Sequence, residues 1–383
     1  MQLYGEFEFF IYLIIALIPA IILGCMRKSL KFYNLILSII FILLAFAGKW
    51  VGLLYLLSFY LYEIILIKAY LYLNSKYKRN GKLYISAVVL SLLPLVLNKV
   101  LGKIHISIFG FLGISYLTFK IIQIIIEIYD EVIKEVSILE YSSFILFFPA
   151  LSSGPIDRSR RFNEDYNKVY EREEYLNLLG DGIFKIVLGI LYKFVLASIF
   201  NSCMNICEMG DQWYAVLGYM YTYGFYLFFD FAGYSLMAVG TSYVLGIKTP
   251  DNFNKPFISI DIKEFWDRWH ITLSHWFRDF IFSRFMMKAI KKKWFKLRLT
   301  GAAIGFIINM FIMGVWHGLS WNYIIYGLYH GILLALLEIY QKKSKFYKRN
   351  KKKKLYKIIS WFITFQLVMF GFLIFSGYLN KFF

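Results

Sequence analysis

The chain has 383 residues, 59% of them hydrophobic and 21% aromatic, and a formal net charge of +19 from 43 Lys and Arg against 24 Asp and Glu. A soluble domain of this size would carry more charge and fewer apolar runs, and several runs here approach the roughly 20 residues that cross a hydrocarbon core. Composition thus excludes a soluble globule in favour of an all-α polytopic membrane protein, and the basic residues, clustered between apolar spans, read as topology signals and anionic-lipid contacts with no call for nucleic acid.

In chain order, a first apolar span covers residues 9–26 and is followed by Arg27, Lys28 and Lys31. Glu6 and Glu8 precede it without a basic stretch, so it is expected to be retained and not cleaved as a signal. A second span covers 32–46 and a third 51–73, the latter ending in Lys76, Lys78, Arg79 and Lys82. The two basic clusters predict cytoplasmic loops and an external N-terminus. Glu63 and Lys68 in the third span are five residues apart, so each is expected to reach an interface or a neighbouring helix. A fourth span, 83–97, and a fifth, 106–128, follow; Gly110, Gly113, Ser115 and Thr118 in the fifth permit close helix packing. The apolar stretch 141–151 is too short to cross and runs into Ser152-Ser153-Gly154-Pro155-Ile156-Asp157-Arg158. It is expected to be re-entrant, because irregular backbone at that depth must line a cavity or be buried by protein.

Residues 159–180 are polar and expected at the cytoplasmic surface, 183–200 cross outward, and the loop 201–212 has no Lys or Arg. A long aromatic span begins near Trp213 and contains Asp230, either a structural hydrogen-bonding group or part of a polar path to a site. Further on, Trp266, Trp269, Leu273, Trp276 and Phe280 recur at three- and four-residue steps, while Asp267, His270, Ser274 and Arg278 form a second stripe. This predicts one helix at the membrane–water boundary. Residues 283–298 mix Met286, Met287, Ile290 and Trp294 with Lys288, Lys291, Lys292, Lys293, Lys296 and Arg298. Such a piece reads as a membrane-surface helix or as a dock for an acidic helical partner.

Apolar runs at 301–316 and 321–340 carry basic residues at their far ends, predicting a hairpin open to the cytoplasm. The first arm, about 16 residues or about 24 Å, falls short of the outer surface, so His317 at its tip is expected inside the membrane or at the base of an outer pocket. His330 reads as a packed or interfacial residue. A lysine-rich cytoplasmic loop, 342–357, precedes the last span at 358–378.

Four of the five histidines (His270, His275, His317 and His330, but not His105) fall within 265–331. An imidazole titrates near neutrality and carries protons between partners, and one placed in a membrane segment is by default a functional-site hypothesis. The three cysteines, Cys25, Cys203 and Cys207, show neither a disulfide framework nor metal-ligand spacing. Nor is there a phosphate loop, a zinc-protease motif or a nucleophile elbow. Transfer of an acyl group to a hydroxyl deprotonated by a neutral imidazole is one chemistry that fits, among several.

Arg268-Trp269-His270, followed 47 positions later by Trp316-His317-Gly318, resembles the paired signature of the membrane-bound O-acyltransferase (MBOAT) family. Phe228-Phe229-Asp230-Phe231-Ala232-Gly233-Tyr234-Ser235 is similar to another block of that family. Residues 148–158 and 112–119, with Phe277-Arg278-Asp279-Phe280 and 326–331, resemble its teichoic acid D-alanylating subgroup. The resemblance implies an MBOAT-type ring of about 11 membrane segments, including re-entrant ones, around a central site. It implies a single domain over 1–383, with N-terminal spans to 105, a catalytic core over 106–341 and a basic loop and last span over 342–383. His317 would be the principal catalytic histidine, activating the acceptor hydroxyl, and His270 would position the donor or assist proton movement. Asp230, Trp316, Arg268 and Ser153 would support the site or its channel.

The implied donor is D-alanine on the phosphopantetheine arm of a small acidic carrier protein in the cytoplasm, with no cofactor or metal bound by the chain itself. Met286, Met287, Ile290 and Lys292 would dock that carrier. The acceptor would be teichoic acid outside a bacterial cell membrane, reached with a membrane-anchored partner. Two rivals stand beside this reading. One is an MBOAT enzyme that O-acetylates an exported polysaccharide; the other is a transporter, which would need more intramembrane charge and repeat symmetry than the sequence offers.

Overall fold

A computed structural model describes residues 1–102, 110–210 and 212–382, so His105 and the start of the expected fifth span lie outside the described residues. Among the described residues the chain is helical throughout, the one β feature being an isolated antiparallel bridge between Phe253 and Trp269. Among the described residues seven helical stretches are long and apolar enough to cross a membrane: Phe7–Cys25, Trp50–Tyr77, Gly81–Gly102, Arg172–Glu208, Arg298–His317, Trp321–Lys343 and Lys354–Ser376. This is a multi-pass all-α membrane protein, as composition predicts. The second expected span is a shorter apolar helix, Lys31–Ala45. Backbone proximity divides the chain into two compact units, one comprising Met1–Ile190 and Tyr234–Pro250, the other Leu191–Gly233 and Asp251–Phe383.

The first unit holds α1 (Phe7–Cys25), α2 (Lys31–Ala45), α3 (Trp50–Tyr77), α4 (Gly81–Gly102), α5 (Ile114–Tyr129), α6 (Ile138–Ile145), α7 (Ser159–Asn167) and α8 (Arg172–Ile190). Where described, the fifth segment begins as a helix only at Ile114, after Gly113 at φ 95°, and every residue from Leu117 to Ile128 is buried. A side chain at Gly113 would meet the Leu151 carbonyl oxygen at 2.3 Å, so the left-handed φ and the close approach both demand glycine.

The short apolar segment is covered by protein. It folds as α6 and a 3₁₀ turn at Phe148–Ala150, its irregular backbone buried, with the Phe148 ring stacked on Phe41 at 4.4 Å. Buried Asp157 in its tail is held by Arg161, which also bonds Asp165 at 2.7 Å and the Lys248 carbonyl at 2.6 Å. The Ser152 and Tyr234 hydroxyls pair at 2.6 Å. Glu63 and Lys68 each reach a neighbour, as expected: buried Glu63 accepts from Ser91 at 3.1 Å, and Lys68 donates to the Val136 carbonyl at 2.5 Å.

The second unit contains a π-helical turn, Leu191–Leu196, and α9 (Ala197–Glu208), then the first part of α10 (Trp213–Val244). It continues through α11 (Ile262–Arg268), α12 (Ile271–Phe277), a π turn at Arg278–Phe282, α13 (Ser283–Lys291), α14 (Arg298–His317), α15 (Trp321–Lys343), α16 (Lys345–Asn350) and α17 (Lys354–Ser376). The predicted hairpin is α14 and α15, joined by the three residues 318–320. Glycines let its arms touch along their backbones: a Cβ at Gly314 would lie 2.4 Å from the Tyr323 carbonyl oxygen, and one at Gly327 2.4 Å from that of Met310. Asn322 and Tyr329 of α15 donate to the Phe375 and Leu367 carbonyls at 2.9 and 3.0 Å, fastening α17 alongside.

A candidate acyl-transfer site in the second unit

His317 is the last residue of α14, and Gly318 after it is extended at φ −179°. The chain leaves the helix there, so the imidazole stands at a helix end and not along a packed face. Aromatic rings surround it: Trp316 at 4.6 Å, Phe375 edge-on at 5.0 Å, Tyr323 at 6.1 Å and Tyr326 at 6.4 Å between centroids. Yet His317 remains partly accessible, unlike His270 and His330. A partly accessible imidazole among aromatic walls suits a base that must meet a substrate hydroxyl within hydrogen-bonding reach.

His270 sits differently from its expected place. Residues 265–280 do not form one boundary helix. α11 ends at Arg268, Trp269 is extended, His270 takes a left-handed φ of 44°, and α12 starts at Ile271. The break is fixed by an extended strap, residues 252–254, whose backbone pairs with the turn. The Ile271 N–H donates to the Asn252 carbonyl at 2.9 Å, and the Asn254 N–H to the Arg268 carbonyl at 3.0 Å. The Asn252 side chain accepts the Thr272 hydroxyl at 2.5 Å. Periodicity could not reveal this, because satisfied strap hydrogen bonds outweigh the local helical preference of a seven-residue piece.

The expected two stripes therefore separate. Trp266, Trp269, Leu273 and Trp276 are buried in protein, not spread along a lipid boundary. His270 is buried edge-on against Phe231 at 4.7 Å. Burial, followed by the nearby His317 imidazole, holds the His270 pKa down at about 3, so it is neutral at physiological pH. Arg268 fixes the turn, bonding Glu264 at 2.8 and 3.0 Å and the Asn254 carbonyl at 3.2 Å. Asp261 caps α11 through the Lys263 and Glu264 N–H groups at 3.0 and 2.9 Å, and Gln341 ties it to α15 at 3.1 Å. His330, read as packed, is fully buried among Trp266, Tyr326, Tyr329 and Phe265.

Asp267, Ser274 and Arg278, of the second stripe, line a cavity of about 310 Å³ with Lys263, His275 and Asn309. A larger groove of about 780 Å³ runs past Met286, Met287, Ile290, Arg298 and Lys342. Both are bounded by Phe282 and Phe306, whose rings stack at 4.6 Å. Met287 and Ile290 are 61% and 52% exposed, and Lys292 caps α13 in the open. The chemistry-bearing residues thus gather in the second unit: His317, His270, Trp316, Arg268, Asp230 and the Met286–Lys292 patch. Ser153 belongs to the first unit, beside Ser152.

Sequence reasoning passed over two residues. Asn252, which holds the His270 turn, gives no signal beyond the polar Asp251-Asn252 pair. Lys193 forms an ion pair with Asp230; a lysine near the middle of the apolar run 183–200, which also holds Lys185 close to its start, was the signal that could have found it.

The MBOAT, membrane-bound O-acyltransferase family model matches residues 114–379. The teichoic acid D-alanyltransferase of Bacillus subtilis is 46% identical over 389 residues, covering 98% of this chain and 98% of that protein. That of Streptococcus thermophilus is 45% identical over 396 residues, covering 98% and 95%. A probable alginate O-acetylase of Pseudomonas syringae pv. tomato is 31% identical over 318 residues, covering 79% of this chain and 54% of that protein.

Proposed function

As this chain belongs to the membrane-bound O-acyltransferase family and is a membrane-bound acyltransferase, we propose that it transfers D-alanine to hydroxyls of teichoic acid, with His317 activating the acceptor. Near-full-length likeness to teichoic acid D-alanyltransferases, against partial likeness to alginate O-acetylases, favours D-alanine over acetate. The observation that carries the role of His317 is its placement at a helix end, among aromatic rings yet partly accessible.

The reaction needs no covalent nucleophile on the protein. The acceptor hydroxyl gives its proton to the neutral His317 imidazole as its oxygen attacks the thioester carbonyl. The tetrahedral intermediate collapses, the thiolate leaves, and the imidazolium returns the proton to sulfur. A positioned base of this kind contributes about 10²–10⁴ in rate. His270, buried and uncharged, keeps a second positive charge away from the imidazolium. The donor is a thioester on the phosphopantetheine arm of a small acidic carrier protein at the cytoplasmic face. Its acidic surface meets the lysines around Lys292, its apolar residues meet Met286, Met287 and Ile290, and the arm passes the Phe282–Phe306 pair. The N-terminus faces outward, and the acceptor, with a membrane-anchored partner, approaches from outside.

The test is complementation of a bacterial strain deleted for this gene. Alkali-labile D-alanine esters on teichoic acid should return with the wild-type chain. Restored O-acetyl esters without D-alanine would overturn the assignment in favour of the acetylating reading.

A further inference from the structure

One charged pair of the second unit has no part in the mechanism above. Lys193 lies in the π-helical turn Leu191–Leu196, inside the 37-residue apolar stretch Arg172–Glu208, and its ammonium meets the Asp230 carboxylate on α10. Isolated π turns within α-helices are frequently functional, and paired charges at membrane depth face a protein interior or a watery cavity. Lys193 is 16% exposed but Asp230 is 39% exposed. Lys193 bonds one carboxylate oxygen, Oδ1, and among the described residues no hydrogen bond falls on the other.

Asp230 also ends a polar stripe. Tyr219, Tyr223, Tyr226 and Asp230 follow one another at four-, three- and four-residue steps and share one face of α10. The Tyr219 and Tyr223 rings stack at 5.7 Å, and Tyr223 lies 6.5 Å from Tyr226. Tyr223 is within electrostatic reach of Tyr323 and Tyr326, two of the rings that flank His317. At the lower end Phe231, next to Asp230, packs on His270. The half-satisfied carboxylate thus stands next in sequence to the ring that packs on His270, and on the stripe whose Tyr223 neighbours a tyrosine beside His317. Tyr223 and Asp230 are roughly 10 Å apart along the helix, about the length of a salt bridge, an aminoacyl carbonyl and a hydrogen bond to a base laid end to end.

Resting on the D-alanyl reading, we propose that Asp230, oriented by Lys193, is the counter-ion that recognises the α-ammonium of the acyl donor. D-alanine differs from a plain acyl group chiefly by that positive charge. An ammonium brought to membrane depth needs a fixed anion, which neutral imidazoles and phenols do not supply. Free Oδ2 accepts it while Lys193 keeps Oδ1. Asp230 then selects the donor, and His317 acts on the acceptor.

The experiment uses the full-length protein in proteoliposomes, with carrier loaded by D-alanyl or by propionyl, the same carbon skeleton without the ammonium. Wild type should prefer D-alanyl, and Asp230→Asn should lower D-alanyl transfer about 10- to 100-fold while propionyl transfer stays within about threefold. Lys193→Gln, which leaves the carboxylate in place, should retain the preference. If Asp230→Asn fails to fold, the neutral pair Lys193→Gln with Asp230→Asn is read by the same ratio. An equal loss with both donors, an unchanged ratio, or loss of the preference in Asp267→Asn instead would overturn the proposal. Wild type that moves propionyl and never D-alanyl would overturn the functional reading on which it rests.

Discussion

Replacing Gly327 by Ala tests how the α14–α15 hairpin places His317. The added Cβ would lie 2.4 Å from the Met310 carbonyl oxygen and 3.1 Å from Gly314 Cα, against ordinary contact at 3.4–4 Å. Both neighbours are backbone, so no side chain can swing aside, and the helices must part by about 1 Å, the difference between 3.4 and 2.4. Overpacking of this kind costs about 1–3 kcal/mol. Gly314 faces the same contact and stands three residues before His317 on α14, so the shift passes to the imidazole. Misplacing a catalytic group by about 1 Å costs on the order of 10²-fold in rate. The assay is D-alanine ester formation by purified protein in vesicles, with melting followed in parallel. Gly180→Ala on α8 is the control, since its Cβ meets nothing within 4 Å; it should leave melting unchanged or slightly raised. Wild-type rate and melting in Gly327→Ala would refute the close-packing account of the site.

Three further outcomes follow from other parts of the structure. Asn252→Ala removes the acceptor of the buried Thr272 hydroxyl; it should cost about 1–3 kcal/mol and lower transfer by loosening the His270 turn, and unchanged thermal melting would contradict this. Met287→Asp or Lys292→Glu should weaken binding of the acidic carrier at least about tenfold in a pull-down or titration, with melting unaffected; unchanged affinity would remove the dock from α13. The pH effect at His270 has a definite sign. Its pKa is about 3 folded, while an unfolded histidine titrates near 6.5, so its contribution to stability is complete above about pH 6.5 and declines as pH falls toward 3. His270→Asn should flatten that acid decline in melting curves; a decline as steep as the wild type's would contradict a permanently neutral His270.

The sequence made some of this legible for simple reasons. Long apolar helices between basic loops announce themselves because the bilayer demands continuous hydrophobic length. The hairpin and the position of His317 at its tip followed from the same signal. What stayed hidden depends on contacts distant in sequence. The break at His270 is imposed by Asn252 and its neighbours, and the tryptophans near it are covered by protein that no periodicity reports. The Lys193–Asp230 pair joins residues 37 apart in sequence. Ser153, grouped with the site by motif likeness, lies in the first unit beside Ser152, whose hydroxyl pairs with that of Tyr234.

The account turns on the imidazole at the end of α14. Purified His317→Ala, reconstituted in vesicles with D-alanyl carrier and a polyol-phosphate acceptor, measures it most directly. Ester formation should fall about 10²–10⁴-fold, while carrier affinity and melting match the wild type. Ester formation at the wild-type rate in that variant would contradict the assignment of His317 as the base.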